Sequence, residues 1–401
     1  MFKSLRVALF LAPKSIVRGN LGISVLTICM LAIVSMDLLF IPGLINGIVD
    51  GSNTQLINTY SGDMIIESKK DPYIDHVSGL ISQIKDIPGV AALSARNTVG
   101  AKIEHLDQRM NINIYAINPV EDAKVFAISK YLIEGQYLEQ NDRNQILLGI
   151  QIAGADRENI ELYSSSLHNV HTGDNVTVTY SNGVKRVYAV KGIFYTRFLQ
   201  TDVQAFISNI DYQAIITGQV DTATIIHLKL NKNADFPDVK SRILNLNDGL
   251  KIKTWTEMAG IIRSMTDSFK IIRQILDVIN ILIAGITVFI VTYVDVVNRK
   301  RQIGIQRAIG IKTRSITMSY IFRALFYAFV GLIVGCLVYT YIIIPIETQH
   351  PFTFPIGPAY LNFDPLQLAR TVVILLLVSI VASFIPVFRV MRKTILDAIW
   401  G

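Results

Sequence analysis

Long apolar runs occur towards both ends of the chain and enclose one mostly polar stretch. The runs cover residues 21–45, 271–297, 320–346 and 368–390. Each supplies about the 20 residues that a helix needs to cross a hydrocarbon core. The polar stretch occupies 49–254, between the first run and the second. This pattern predicts a membrane protein with four transmembrane α-helices, one plus three, and a large domain inserted between spans one and two.

The inserted stretch has both helical and strand periodicity. Val77, Leu80 and Ile84 recur at helical spacing, whereas RMNINIYAI alternates, with Met110 and Ala116 on one face. Further along, TATIIHLKL, DFPDVKSRILNL and LKIKTW predict a strand, a helix and a strand. Between these units, NVTVTY, a Ser-Asn-Gly turn at 181–183 and VKRVYAVKGIF predict a β-hairpin. We therefore expect an α+β domain, with a split α/β part around a β-rich insertion at about 130–215.

A stiff connection is predicted between this domain and span two. Thr254 and Glu257 have the spacing of a helix capping box. An apolar stripe that includes Met258, Ile262 and Phe269 then continues into the second apolar run. We expect a stalk helix at 255–270, continuous with span two and about 24 Å long at 1.5 Å per residue. A rigid helix can carry a movement along its axis, whereas a flexible linker would dissipate it.

Basic residues flank the spans unevenly. The leader 1–20 has four basic residues and no acid, the link 298–318 has six and no acid, and the tail 391–401 adds Arg392 and Lys393. The loop 347–367 has no Lys or Arg. In these bounds, span one together with the start of its stalk extends to residue 48, and span three begins at residue 319. The positive-inside rule then places both termini and the link in the cytoplasm. The inserted domain would lie outside the cytoplasmic membrane.

Composition changes this picture little. The net charge of +7 could indicate nucleic-acid binding, but the basic residues nearest the spans are explained first by membrane topology. We therefore expect no nucleic-acid partner. The two cysteines, Cys29 and Cys336, both lie in predicted spans. The inserted domain therefore has no disulfide framework and must be stabilised by its own core.

No motif in the chain indicates catalysis. In the link, Gly304 and Gly310 are separated by five residues, and Ile311 intervenes before Lys312 and Thr313. A phosphate-binding loop requires four residues and then Gly-Lys-Ser/Thr directly. His168 and His171 form a pair in a polar loop with no third ligand nearby in the sequence. We expect no cofactor, no metal site and no enzymatic activity in this chain.

The link is nevertheless amphipathic if helical. Ile303, Ile305, Ala308 and Ile309 offer a small apolar surface among basic residues. Two interpretations fit equally well: the helix rests on anionic lipid, or it docks in the groove of a partner protein.

At this point the chain resembles a known family. RKRQIGIQRAIGIKTRSI is similar to the segment between spans two and three of the MacB and lipoprotein-releasing (Lol) permeases, which are type VII ABC transporters. Other family landmarks follow in family order: LINGIV, IPGV, EGQYL, NQILLG, TGDNVTVTY, VKGIF, WTEM and IPVFRVMRKTILDAI. Each motif alone is weak, but the ordered set on a one-plus-three topology is specific.

The resemblance implies a coupling helix that docks on a separate ATPase subunit and works by mechanotransmission. It also implies a dimer of permeases, with outer domains of porter and sabre-like parts on stalks. A lipoprotein chaperone or a periplasmic adaptor would be a further partner. Gln302 stands where many relatives have Glu. The implied docking residues are Ile303, Gly304, Ile305, Arg307, Ala308, Ile309 and Gly310.

The resemblance favours lipoprotein release from the outer leaflet, because LINGIV and WTEM are nearer to the lipoprotein-releasing branch. One alternative is MacB-like efflux of drugs, peptides or glycolipids with an adaptor and an outer-membrane channel. An alternative of another class is an FtsX-like regulator of a cell-wall hydrolase. Asp37, within span one, either faces a cavity between protomers or reaches the outer headgroups.

Overall fold

The computed structural model describes residues 21–154, 165–216, 221–349, 352–354, 357–361 and 365–392. The predicted leader 1–20 and most of the tail 391–401 lie outside them. The chain forms two compact units. The membrane unit comprises Met1–Gly47, Met265–Phe352 and Tyr360–Gly401, and the inserted domain comprises Ile48–Ser264 and Thr353–Ala359.

Both units of the chain contain helices. In chain order the helices are α1 (Leu21–Gln55), α2 (Val77–Lys85), α3 (Pro119–Val125), α4 (Ile150–Ala153), α5 (Leu199–Asp202), α6 (Asn209–Ile215), α7 (Phe236–Leu246), α8 (Trp255–Met258), α9 (Gly260–Asn298), α10 (Lys300–Ala308), α11 (Thr313–Val338), α12 (Ile344–Gln349) and α13 (Pro365–Met391). Two π-helical segments, Leu56–Ser61 and Tyr339–Ile343, extend α1 and α11.

Strands are concentrated in the inserted domain. They are β1 (Met64–Ser68), β2 (Ile74–Asp75), β3 (Val90–His105), β4 (Gln108–Ile117), β5 (Leu132–Gly135), β6 (Gln145–Gly149), β7 (Asn175–Tyr180), β8 (Lys185–Phe194), β9 (Ala205–Ser208), β10 (Thr222–Ala223), β11 (Ile225–Leu230), β12 (Leu250–Thr254), β13 (Phe352–Phe354) and β14 (Gly357–Ala359). Within the described residues, four helical segments are long and apolar enough to cross a membrane. The predicted fold class, four spanning helices with an α+β domain between the first and the second, is confirmed.

Spans one and three pack closely because glycines line their contact. A Cβ at Gly331 would lie 2.8 Å from the Leu31 Cβ, and a Cβ at Gly335 would lie 2.6 Å from the Ala32 carbonyl oxygen. The Ser35 hydroxyl donates across the contact to the Gly331 carbonyl at 3.3 Å. Small residues at this spacing allow helix backbones to approach in a membrane, where dispersion contacts replace the hydrophobic effect.

One part of the inserted domain is an open sheet covered by helices. Its strands run in the order β12-β1-β11-β3, all antiparallel. Two amphipathic helices, α2 and α7, bury Leu80, Ile84, Val239 and Ile243 against the sheet. This arrangement is the split α/β part that the two strand-helix-strand patterns predict, since its segments come from both ends of the domain.

The other part is a closed ring of six strands. The pairing runs β3-β4-β9-β6-β8-β7 and returns to β3. Its interior is a single apolar cluster that begins at Ala101 on β3. The expected start of the β-rich part near 130 is therefore too late. Strand β4 was predicted within the first α/β unit, but its alternating residues Ile112, Ile114 and Ala116 line this ring instead.

A buried ion pair ties β3 to α3 beside the ring. Arg96 is 1% exposed, and its Nε and Nη2 donate to the two carboxylate oxygens of Asp122 at 2.8 and 3.0 Å. Ser94 and Tyr137 donate to the same carboxylate at 2.6 and 3.1 Å. Because every oxygen of Asp122 has partners, the buried charge is compensated.

The connection to span two differs from the prediction. The stalk helix is divided: α8 ends at Met258, Ala259 leaves the helical conformation with ψ near 16°, and α9 begins at Gly260. Glycine has low helix propensity, and Ala259 packs with Leu56 and Phe198 in the inserted domain. The expectation of one continuous helix from 255 is therefore wrong.

Candidate coupling surface and the ion pair beside it

The link between spans two and three contains a short helix, α10, that is bounded on both sides. Arg299 interrupts the helical run after α9. At the other end, the Gly310 N–H donates to the Arg307 carbonyl at 3.1 Å and the Ile311 N–H to the Gln306 carbonyl at 3.0 Å. This double closure is a Schellman motif. Gly310 has φ +93°, a conformation that favours glycine, so its role is to end α10.

The inward face of α10 is part of the membrane unit's own core. Ile303 is 3% exposed and packs with residues of α9, α11 and α13, and Gly304 beside it is buried. Its partners in this cluster are Val296, Ile316, Tyr320, Val387 and Met391. The expectation that Ile303 offers a free apolar surface is therefore wrong, because this side chain anchors the helix to the spans.

The outward face presents apolar side chains to solvent. Ile305 is 49% exposed and Ile309 is 72% exposed. At 100° per residue these two positions lie about 40° apart, while Ile303 lies on the opposite side. Ala308 is exposed on the same face as Ile305, and Arg307 is half-buried on the inward side. The predicted docking set is thus divided: Ile305, Ala308 and Ile309 form an outward surface, whereas Ile303, Gly304 and Arg307 do not belong to it.

Beside α10, a polar network joins three spans. Asp295 near the end of α9 forms ion pairs with Arg299 at 3.1 Å and with Arg323 of α11 at 2.6 Å. The Arg323 Nε donates to the Tyr327 hydroxyl at 3.1 Å, and that hydroxyl bonds Ser24 of α1 at 2.8 Å. The side chains of Asp295 and Arg323 are only 11% and 7% exposed. Charged side chains near span ends usually extend to the headgroups, but these two are buried against each other.

The predicted stalk residues occupy different environments. The Thr254 N–H donates to a Glu257 carboxylate oxygen at 3.2 Å, which forms the capping box of α8. The Lys240 ammonium bonds Glu257 at 3.2 Å and holds the pKa of that carboxyl below its usual value. Phe269 is half-buried in α9, and the side chain of Ile262 lies outside the described residues.

Asp37 remains distinctive within α1. Its side chain is half-buried, and within the described residues its carboxylate has no hydrogen bond or ion pair. Near the middle of an apolar run, such a carboxylate is costly unless it meets water or a partner.

Sequence comparison links the spans to a family. Residues 276–395 match the family model described as FtsX-like permease C-terminal. An uncharacterised ABC transporter permease of Methanocaldococcus jannaschii, MJ1507, is 23% identical over 270 residues, which is 64% of each chain. A protein of Staphylococcus haemolyticus described as a hemin transport system permease, HrtB, is 23% identical over 373 residues, covering 90% of this chain and 91% of that one.

Two solved structures are also similar. One is the periplasmic region of MacB from Actinobacillus actinomycetemcomitans, with 12% identity and a TM-score of 0.36. The match covers 50% of this chain and 92% of the MacB region. The other is the extracellular domain of YknZ from Gram-positive bacteria, with 11% identity and a TM-score of 0.33. The match covers 48% of this chain and 99% of the YknZ domain. The family and sequence matches confirm the resemblance that the link and the ordered landmarks predict.

Proposed function

We propose that this chain, an ABC transporter permease of the FtsX and MacB type, converts ATP hydrolysis on a separate subunit into movement of its inserted domain. The permease itself supplies no catalytic group. It supplies a docking surface, spans that transmit displacement, and a domain that acts on a substrate. The observation that carries the proposal is the division of α10 into an anchored face and an exposed apolar face.

The anchored face is as important to this proposal as the exposed one. Ile303 is buried among residues of three spans, so a force applied to α10 is passed directly to them. Two exposed isoleucines on the opposite face cost free energy in water and regain it when a partner covers them. An ATPase groove is one such cover, and a lipid surface is the other. We favour the ATPase because its movement would reach the spans through Ile303.

The ion-pair network supports transmission beyond α10. Asp295 and Arg323 stand on α9 and α11, which precede and follow the docking helix. The Tyr327–Ser24 hydrogen bond extends the connection to α1. Both α1 and α9 continue in the chain towards the inserted domain. A displacement of α10 would therefore bias both connections at once.

The basic link and termini support an orientation with the ATPase side in the cytoplasm and the inserted domain outside the cytoplasmic membrane. We further propose that two permease copies assemble, and that Asp37 of α1 faces the cavity between them. A second copy would give this carboxylate the polar surroundings that lipid cannot supply.

For the substrate, we propose a lipoprotein taken from the outer leaflet. The support is the likeness of LINGIV and WTEM to the lipoprotein-releasing branch. A second candidate, export of a hemin-like amphiphile, is favoured by the HrtB relative, which matches along 90% of this chain. Both substrates would be handled on the outer side without passing through this chain.

The test of docking uses the tagged chain purified with the ATPase that accompanies it. The variant carries Ile305→Asp and Ile309→Asp. From their exposures of 49% and 72%, and about 1.5–3 kcal/mol for burying a whole isoleucine side chain, covering both is worth about 2–4 kcal/mol. Loss of this term weakens binding about 100-fold, and the new charges weaken it further.

The control variant carries Leu106→Asp and Leu246→Asp, which adds the same charges at exposed positions of the inserted domain. It should retain the ATPase. Retention of the ATPase by the α10 variant as well would place docking elsewhere. If that variant retained the ATPase but its α10 no longer contacted the anionic lipid of vesicles, the lipid interpretation would be favoured. Bound lipoprotein or hemin in the wild-type preparation would distinguish the two substrates, and a bound cell-wall hydrolase without either would indicate a regulator.

A further inference from the structure

The inserted domain contains a cavity of about 330 Å³ that the coupling proposal does not use. It lies over the face of the open sheet that α2 and α7 leave uncovered. We infer that this cavity binds a neutral mono- or disaccharide through hydrogen bonds to the sugar hydroxyls. The inference concerns the inserted domain alone and does not depend on ATPase docking.

Alternation along the strands explains why polar groups meet here. Ile226 of β11 and Ala95 of β3 pack with the residues of α2 and α7. Successive strand residues point to opposite faces of a sheet, so the next residues, His227 and Arg96, point away from the helices. Tyr115 lines the same cavity from the neighbouring strand β4. The second face of the sheet is therefore polar where the first is apolar.

This polar face is nevertheless buried, and the amide of Gln204 is left unsatisfied there. Gln204 immediately precedes β9, lines the cavity and is 4% exposed. Its side-chain amide makes no hydrogen bond within the described residues, and its Oε1 is fully enclosed whereas its Nε2 is not. Native domains leave few buried polar groups unsatisfied. The Nε2 therefore offers N–H donors to whatever occupies the cavity.

His227 supplies a hydrogen-bond acceptor to the same cavity. Its Nδ1 lies 2.9 Å from the Ser61 carbonyl oxygen, which can only accept, so the Nδ1 carries the proton. Burial and then the Arg96 charge lower the pKa of His227 to about 3. The ring is therefore neutral, and its Nε2 has a free lone pair. In the part of the chain that the structure describes, no group donates to this nitrogen or bonds the Tyr115 hydroxyl.

The combination of donors and an acceptor disfavours an anionic ligand. Phosphate and carboxylate oxygens only accept hydrogen bonds, so they would meet the His227 lone pair unfavourably. Glu67 and Asp71 also line the cavity and add like charge. The Arg96 guanidinium does not compensate for them, because it is already paired with Asp122 through two hydrogen bonds.

A cationic ligand is disfavoured by the opposite set of groups. An ammonium group only donates hydrogen bonds, so it leaves the Gln204 N–H donors unsatisfied. It would also lie beside the buried Arg96 guanidinium. A hydroxyl both donates and accepts, so a single polyhydroxylated ligand can satisfy the Gln204 Nε2, the His227 Nε2 and the Tyr115 hydroxyl.

Two tyrosine rings favour a sugar among neutral hydroxylated ligands. Tyr60 and Tyr115 both line the cavity. Their rings are held by Phe198 and Phe206, at centroid distances of 6.0 and 5.9 Å. The negative face of an aromatic ring attracts the weakly positive C–H groups that a sugar ring presents. The volume is at the small end of ligand pockets, which fits a mono- or disaccharide.

The probes are four neutral sugars and two charged ones. The neutral sugars are glucose, N-acetylglucosamine, maltose and diacetylchitobiose. Glucose 6-phosphate and glucosamine are the anionic and cationic counterparts of the first two. Binding to the full chain in nanodiscs is measured by saturation-transfer NMR and then by titration. We expect saturation transfer from a neutral sugar, and at least tenfold weaker binding of both charged sugars than of the tightest neutral one.

Two variants test the named groups. Gln204→Leu removes the unpaired amide and Tyr115→Phe removes only a hydroxyl, and each should weaken binding of the tightest neutral sugar at least tenfold. The control is Gln213→Leu, at an exposed glutamine of α6, which should bind within twofold of wild type. Because the Gln204 amide has no partner to lose, Gln204→Leu should not shorten the thermal inactivation half-life of the sugar-free protein.

Four results would overturn the inference. The first is no saturation transfer from any neutral sugar at millimolar concentration. The second is equal or tighter binding of a charged sugar, which would mean that the cavity selects by charge. The third is unchanged binding by Gln204→Leu and Tyr115→Phe, which would place the sugar elsewhere. The fourth is a shorter half-life of sugar-free Gln204→Leu, which would mean that water satisfies this amide in a structural role.

Discussion

The buried charges beside α10 make an asymmetric prediction. Asp295 pairs with two guanidinium groups, Arg323 at 2.6 Å and Arg299 at 3.1 Å. Asp295→Leu would leave both cations without this carboxylate, whereas Arg323→Met would leave Asp295 with Arg299 still beside it. Removing one partner of a buried ion pair costs about 3–5 kcal/mol. We expect Asp295→Leu to reach this range and Arg323→Met to cost about 1–3 kcal/mol, as for one unsatisfied buried group.

The double variant should be better than the sum of its parts. With Leu at 295 and Met at 323, neither charge is left facing the other position, and coupling energies between such contacting residues are about 0.5–3 kcal/mol. Thermal unfolding of a membrane protein is often irreversible, so the observable is the inactivation half-life at one temperature. A cost of about 3 kcal/mol on the unfolding barrier shortens it roughly 100-fold.

The assay compares wild type, the two single variants and the double variant in nanodiscs at equal protein concentration. The expected order of half-lives is wild type, Arg323→Met and then Asp295→Leu, with the double variant longer-lived than Asp295→Leu. If Arg323→Met inactivates faster than Asp295→Leu, or if the double variant shows the full sum of both costs, Asp295 is not the shared partner of two arginines and the network does not hold the spans as described.

Three further changes test other parts of the molecule. Gly335→Val should shorten the inactivation half-life through an overpacking cost of about 1–3 kcal/mol, because its Cβ meets the Ala32 carbonyl, whereas Gly285→Ala, with only an ordinary contact at 3.4 Å, should not. Phe269→Pro inside α9 should preserve ATP hydrolysis and abolish substrate release, because a proline there distorts the helix at a cost of about 3 kcal/mol or more. Ile262→Pro, in the first turn of α9, should retain ATP hydrolysis and substrate release. Equal transport by the two proline variants would refute a rigid stalk. Burial and then the nearby Arg96 charge lower the pKa of His227 to about 3, so its folded form resists protonation and stability falls on acidification below about pH 6.5. Stability of His227→Gln should decline less than that of wild type between pH 6.5 and 5, by up to about 1.4 kcal/mol per pH unit, and identical pH profiles would contradict this assignment.

Local periodicity was sufficient for much of the fold. The alternation of β4, the helical spacing of α2 and the turn between β7 and β8 depend on neighbours in sequence, so each is visible there. The parallel pairs β4–β9 and β6–β8 are not visible in the sequence, because β9 is a short, fully buried strand whose residues do not alternate between apolar and polar. The closed ring therefore could not be derived, and β4 was assigned to the wrong core.

The residues of the coupling surface could be predicted only in part from the sequence, for a different reason. The 100° rotation per residue already separates Ile303 from Ile305, so the division of α10 into two faces was available in the sequence. Which face packs inward depends on Val296, Ile316 and Val387, residues brought together only by the bundle. Likewise, Asp295 and Arg323 lie near span ends, where charged side chains usually extend to the headgroups, so their ion pair is not evident from the sequence.

The central claim, that ATP hydrolysis by a subunit docked on α10 moves the base of the inserted domain, has a direct reporter. Trp255 of α8 packs beside Leu56 and Phe198, and the chain has only two tryptophans. In a Trp400→Phe chain labelled with 5-fluorotryptophan and joined to unlabelled ATPase, the fluorine NMR spectrum contains one resonance. Adding ATP should shift or broaden that resonance, and Ile305→Asp with Ile309→Asp should abolish the change. An unchanged Trp255 resonance during active ATP hydrolysis by the wild-type complex would contradict transmission from α10 to the domain.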